Sequence, residues 1–390
     1  MYISAINMCS EAGVARVEAH IAWEETEHPP FSLFAETDTQ VQKALWADPN
    51  AFVVACILPA WRSGERRVKV DGSLCPVLFR NVRTALATLK AWYPAQLGPA
   101  PTIEPSRGFK VRRPFQGHAV SLLSCGIDSL ATLRWNKLHL PSDHPASIKG
   151  VIVIDFNGHP ELSAEESHEQ PQGRLAVASE VAADADVDLI PVRTNLWWLV
   201  NDGYFFDEKW HGAVLSSIAS FFSGRFHKAY IASTHDAAHL HPWGSHPLLD
   251  SYYSSAHFQI EHHGLDMSRF EKTALIADWP IALQNIRVCQ NDSSGNTNCG
   301  TCEKCIRTMT ALVALGKLKD CRSFPGDDVS PELLYSVQQY HMIPNEYEAN
   351  WYRELLPALT QGGRHDLVTA LQQFVLSYAH EQANRTISQP

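Results

Sequence analysis

The chain has 390 residues, 45% of them hydrophobic and 19% charged, and a net charge of −10. That composition belongs to a globular protein of more than one domain, and the acidic balance disfavours one that grips long nucleic acid by its phosphates. The longest nearly unbroken apolar run, residues 51–61, carries Pro59 and is shorter than the roughly 20 residues of a membrane helix. The first 23 residues have no Lys or Arg before Arg16, unlike a signal peptide, so the expectation is a soluble, cytoplasmic protein with no membrane partner.

In chain order, residues 1–114 are expected to form an α+β domain of unknown role. It has strand character at 15–23 and 52–58 and a helix at 82–92, where Ala85, Leu86 and Leu89 share a face. Four prolines mark 94–105 as a linker. Residues 115–320 alternate apolar strands at 118–123, 151–156, 187–193 and 228–233 with helices at 128–138, 175–183 and 211–225. This pattern predicts an α/β domain with a parallel sheet covered on both faces. A helix at 306–315 follows, and residues 321–390 read as a helical extension, with helices at 331–340 and 365–380.

Ser124-Cys125-Gly126-Ile127-Asp128-Ser129 lies between the first strand of that sheet and its helix. A turn there aims backbone N–H groups and the positive helix end at one point, which suits an anion. The hydroxyls of Ser124 and Ser129 can add hydrogen bonds, and Asp128 can cap the helix or help hold Mg²⁺. An ordinary strand-to-helix turn with Ser and Asp caps is the alternative. The G-K-[ST] ending of a Walker-A loop is absent.

Four of the nine cysteines, Cys289, Cys299, Cys302 and Cys305, form C-x9-C-x2-C-x2-C. Four thiolates in such turns suit tetrahedral Zn²⁺ in a closed, structural site. The alternatives are an iron–sulfur cluster or a redox pair beside two buried cysteines. Residues 291–298 read as a polar loop closing the set.

Residues 233–272 hold seven histidines, which would form a second metal site, a hydrogen-bonded pocket or a solvated surface. Ser233, Thr234 and Asp236 follow a strand at the carboxyl edge of the sheet, where such folds bind ligands, and are candidate substrate or ATP contacts. Arg269 and Lys272 could neutralise charge on a phosphate or be solvated helix charges. Trp197 and Trp198 could stack on a purine-like ring or lie in the core.

The turn resembles the S-G-G-x-D-S loop of PP-loop ATP pyrophosphatases, with Cys125 where the family usually has glycine. If that position needs φ > 0, cysteine costs about 1 kcal/mol or more. The resemblance implies an adenine nucleotide alpha hydrolase-like fold, with residues 124–129 on the pyrophosphate portion of ATP and chemistry at the α-phosphate. It also places the strand end at Asp155, Phe156, Asn157 and Gly158 against the adenine. Together with Cys299-Gly300-Thr301-Cys302-Glu303-Lys304-Cys305 and the basic helix after it, the motif resembles the 7-cyano-7-deazaguanine synthases over roughly residues 115–320. In those enzymes a lysine on the stretch matching residues 268–272 approaches the nucleotide. The resemblance implies ATP-dependent adenylation of a deazaguanine carboxylate, with Asp128, Ser129, Arg269 and Lys272 in the chemistry and capture of the product by ammonia or an amine. Enlarged relatives in anti-phage systems imply a protein acceptor instead. A tRNA thiolase, which would need a reactive cysteine near the turn, and a degenerate ATP-binding zinc scaffold stay open, as does a homodimer.

Overall fold

The computed structural model describes residues 1–156, 171–289, 298–340, 346–373 and 375. Its framework is a ten-stranded sheet in the order β10-β9-β6-β7-β8-β3-β2-β1-β4-β5. These strands are β1 (Tyr2–Glu11), β2 (Val14–Ala22), β3 (Phe31–Asp38), β4 (Arg67–Val70), β5 (Thr102–Pro105), β6 (His118–Leu122), β7 (Ile148–Asp155), β8 (Asp188–Thr194), β9 (Phe226–Ala232) and β10 (Gln259–His263). The run from β10 to β8 is parallel, as are β1, β4 and β5. Antiparallel pairs β8–β3, β3–β2 and β2–β1 join the two runs. The fold is therefore α/β with a mostly parallel sheet, and that sheet continues across residue 114.

Alternation along the central strands divides the apolar residues between two faces. Val120, Leu122 and Ile152 join one core, and Ala119, Leu123, Val151 and Val153 the other. The first core is covered by α1 (Pro49–Arg62), α2 (Pro76–Trp92) and, after α5 (Gly203–Phe205), α6 (His211–Ser220). The second packs α3 (Ile127–His139), α4 (Pro171–Asp184), α9 (Pro280–Asn285) and α10 (Glu303–Ala314). The short α7 (Pro247–Asp250) and α8 (Arg269–Ala277) precede α9; α11 (Pro331–Tyr340), α12 (Glu346–Arg353) and α13 (Leu356–Gln361) follow α10.

Two expectations change. The strand expected at 52–58 is part of helix α1, in which every residue from Asn50 to Trp61 is buried. A helix covered on all sides shows no amphipathic period, so its apolar run cannot be told from a buried strand. Its start is set by Pro49 and by Asp48, whose side chain accepts the Asn50 N–H. The expected linker at 94–105 ends in β5, an edge strand pairing with β4, where proline is tolerated because its missing N–H faces outward. The helix expected at 365–380 is present over 365–373 and at 375; residues 374 and 376–380, 157 and 158, and 291–297 lie outside the described residues. Among those described, no helix is long and apolar enough to cross a membrane.

Candidate functional site

The carboxyl ends of β6, β7 and β9 converge on the turn of residues 124–129. Gly126 is the N-cap of α3 and no side chain caps that helix, which leaves its first N–H groups open to an anion. Ser129 Oγ donates to Gly126 O at 3.1 Å and lies 3.2 Å from Ser124 Oγ; Gly126 N–H donates to Ser124 Oγ at 3.3 Å. Gly126 has an ordinary φ of −76°, and the left-handed residue is Cys125, at φ 59°. The Cys125 side chain is buried, and burial pushes its thiol up to about 12 against the pull of Arg287. Ile127 is also buried in the second core, so only its backbone can meet a ligand.

Asp128 is gripped by α8. Arg269 Nη1 donates to Asp128 Oδ2, Lys272 Nζ stands 3.9 Å from Oδ1, and that Oδ1 has no hydrogen-bond partner. The N-terminus of α8 is fixed by a capping box between Ser268 and Glu271. Lys272, 2% exposed, also donates to Ser233 O at 2.7 Å, which ties α8 to the end of β9. Arg269, Lys272 and Lys304 are all held below their ordinary pKa values, first by burial. Repulsion from Arg307 adds to this at Arg269 and Lys304, and from Arg269 at Lys272 and Lys304, while Asp128 and Glu303 oppose it. A largely desolvated cluster of this kind is stabilised by an incoming anion.

Lys304 and Arg307 on α10 carry part of this charge, and sequence reasoning gave them no role. Their i,i+3 spacing, beginning two residues after Cys302, would place both on one face of a helix. Arg307 is 4% exposed with Nη1 unpartnered, its guanidinium lies 3.8 Å from the Trp351 ring, and Trp351 stacks on His235 at 5.3 Å. Burial first, then His241, Lys272, Arg269 and Arg307, lower His235 to about 3, so its imidazole is neutral. Glu354 Oε1 accepts the Phe270 N–H at 3.0 Å. The helical extension thus closes over α8 and α10.

Of the other expected contacts, Ser233 is buried and donates to His235 O. Asp236 is occupied by the Ala238 and His239 N–H groups and by His239 Nδ1 at 2.7 Å; Thr234 is half-buried between them. Asp155 ends β7 and Phe156 follows it; Phe156 meets Phe206 at 6.0 Å, which meets Trp197 at 5.1 Å. These rings form an apolar aromatic cluster after the carboxyl end of β7.

The four cysteines converge, with their sulfurs all within 4.8 Å of one another. Zinc–sulfur bonds of about 2.3 Å in a tetrahedron space the sulfurs about 3.8 Å apart. The pairs Cys299–Cys305 and Cys302–Cys289 stand at 3.8 and 4.0 Å. Such a spacing fits one ion rather than a cluster, whose thiolates bind different irons. Gly300 takes φ 75°, and a Cβ there would meet Pro325 Cγ at 2.6 Å. Asn298, at the end of the expected polar loop, bridges the two arms: its Oδ1 accepts from Val288 and Cys289 N–H at 2.9 and 3.1 Å, and its Nδ2 donates to Ile286 O and Ser323 O. Arg287 N–H donates to Cys125 O at 2.8 Å, so the metal-type centre is joined directly to the turn. Among the described residues the histidines of 235–263 form no second such group.

No family model matches the chain, and no curated protein or solved structure matches it significantly.

Proposed function

We propose that the chain is an ATP pyrophosphatase of the PP-loop kind that adenylates a carboxylate on a 7-deazaguanine. The observation that carries the nucleotide part is the uncapped start of α3 beside Arg269 and Lys272, which meet Asp128 and carry Lys304 and Arg307 close behind them. The deazaguanine part rests on the resemblance of the turn together with C-x9-C-G-x-C-x2-C. In this reading the N–H groups of residues 125–129 and the hydroxyls of Ser124 and Ser129 hold the β- and γ-phosphates. The partnerless Oδ1 of Asp128 would help hold Mg²⁺, which would supply further charge neutralisation. A substrate carboxylate oxygen attacks the α-phosphorus, the bond to the bridging oxygen breaks and pyrophosphate leaves. Arg269 and Lys272 are positioned to take up the charge that develops. Ammonia or an amine then attacks the acyl carbon and AMP departs. Zinc on the four cysteines has no open position and serves structure.

The thiolase alternative is weakened by Cys125, whose buried protonated thiol is a poor nucleophile. The test is AMP and pyrophosphate release with ATP, Mg²⁺ and either 7-carboxy-7-deazaguanine or guanine. Release should require the carboxylated base and be lost in Asp128→Asn. AMP formed equally with guanine would overturn the substrate, and ADP in place of AMP would overturn the reaction. The mass of the base, and of any added protein, identifies the acceptor.

A further inference from the structure

β1, β4 and β5 are parallel, with α2 crossing between β4 and β5, and the carboxyl edge of a parallel sheet is where ligands settle. Beyond that edge lies a cavity of about 410 Å³, remote in sequence from the 124–129 turn. It is lined by the chain leaving β4 (Asp71, Gly72, Ser73) and by Arg107, Lys110 and Arg112. Asp71 is the one acid of the lining and already accepts the Tyr2 hydroxyl at 2.7 Å. Arg112 is steadied 4.5 Å from the Trp46 ring. The segment carrying the cations is itself pinned to the sheet end: Arg107 N–H donates to Gly72 O at 3.0 Å and Lys110 N–H to Leu74 O at 2.9 Å.

The wall is shaped as well as charged. β1 breaks register between Ser4 and Asn7, and Ala5 within that bulge has φ 49°, a left-handed conformation that a non-glycine residue adopts only when its surroundings demand it. Gly72 has φ 132°, and a Cβ on it would meet Pro49 Cγ at 2.7 Å. Bulges and such backbone are concentrated at ligand sites. Three cations around a small concave surface, with one acid already engaged, select a compact multiply charged anion, and guanidinium groups match phosphate geometry. The shallow carboxyl edge and small volume suit a small molecule.

We infer that residues 1–114 carry a second ligand site, separate from the 124–129 turn, which binds a small phosphate-bearing anion between the carboxyl ends of β4 and β5 and the Arg107–Arg112 segment. Calorimetric titration of the full chain with inorganic pyrophosphate, and separately with AMP, tests this and distinguishes the free anion from a nucleotide. Binding of at least one of them should persist in Lys272→Ala, which alters the other site, and weaken tenfold or more in Arg107→Gln/Lys110→Gln/Arg112→Gln. Lys110→Glu, a change at an exposed position, should weaken it in the same direction without altering the circular dichroism. Unchanged binding of both ligands in the triple variant, or loss of all binding in Lys272→Ala, would overturn the inference.

Discussion

At the scale of single residues, the turn rests on Cys125. A left-handed φ costs a non-glycine residue about 1–2 kcal/mol, and its buried side chain recovers a similar amount by packing in the second core. Cys125→Gly should therefore change stability by less than about 1 kcal/mol in urea unfolding and leave ATP binding intact. Cys125→Val adds a β-branched side chain in the same conformation and should destabilise by about 2 kcal/mol or more. Equal stability of the two variants would show that the left-handed turn is wrongly assigned. Complete loss of binding in the glycine variant would give the thiol a chemical role.

Elements are locked to one another by two polar devices. The four-cysteine centre fixes α10, because Cys302 is its N-cap and Lys304 and Arg307 follow immediately. Cys302→Ser should lower the zinc content below about one per chain, lower the melting temperature and abolish AMP formation together; full activity in metal-free protein would end the structural assignment. The second device joins α1, α2 and β10. Buried Asp48 accepts from His257 at 3.0 Å, and Cys75, the N-cap of α2, accepts the Ala256 N–H at 3.2 Å. Burial opposes charge on His257, but Asp48 and Cys75 overcome it and raise its pKa to about 9 from 6.5. Burial likewise opposes the Cys75 thiolate, but hydrogen bonds from His257 and the backbone lower its pKa to about 7 from 9.0.

The signs of these two linkages oppose each other. The stability due to His257 is full below about pH 6.5 and is lost as pH rises through about 9. That due to Cys75 is full above about pH 9 and is lost as pH falls through about 7. Between pH 7 and 9 the folded pair and its unfolded counterparts bind the same number of protons, so the two opposing pH dependences cancel while both contributions remain. Stability from this pair should be level across that window in the wild type. In Cys75→Ser it should fall as pH rises from 7 to 9, which urea midpoints at intervals of pH would register. A variant as level as the wild type would contradict the pairing.

For the whole molecule, the decisive contact is the antiparallel β3–β8 pair that makes one sheet of two parallel runs. Its ladder is short, Ala35 against Thr194 and Glu36 against Arg193, and side chains supplement it. Asn195 accepts the Phe34 N–H at 2.9 Å and donates to Ser32 O at 2.7 Å, Thr194 donates to Phe34 O at 2.6 Å, and Arg193 pairs with Glu36 at 2.7 Å. Asn195→Ala would leave the buried Phe34 N–H without its partner and should cost about 2 kcal/mol. With the junction intact and the first core shared across it, circular dichroism and zinc release should report one unfolding transition. Two separate transitions in the wild type would mean the runs fold independently.

The sequence by itself determined the alternation of apolar strands and helices in residues 115–320, the turn between β6 and α3, and the four cysteines as one cluster. These are local signals, carried by periodicity, spacing and turn chemistry within a few tens of residues. The left-handed φ of Cys125 was posed by the sequence as a condition and answered by the backbone. What only the tertiary structure decided has its partners far away in the chain. α1 is covered by β1 and β4 on one side and by α6 on another, a setting that erases the amphipathic pattern by which a helix is read. Arg307 and Lys304 matter because α10 packs beside α8, and Trp351 because the extension returns over both. The β3–β8 junction depends on residues about 160 positions apart, and no local pattern encodes which strand edges will meet, since register and pairing are settled by which faces the assembled core must bury.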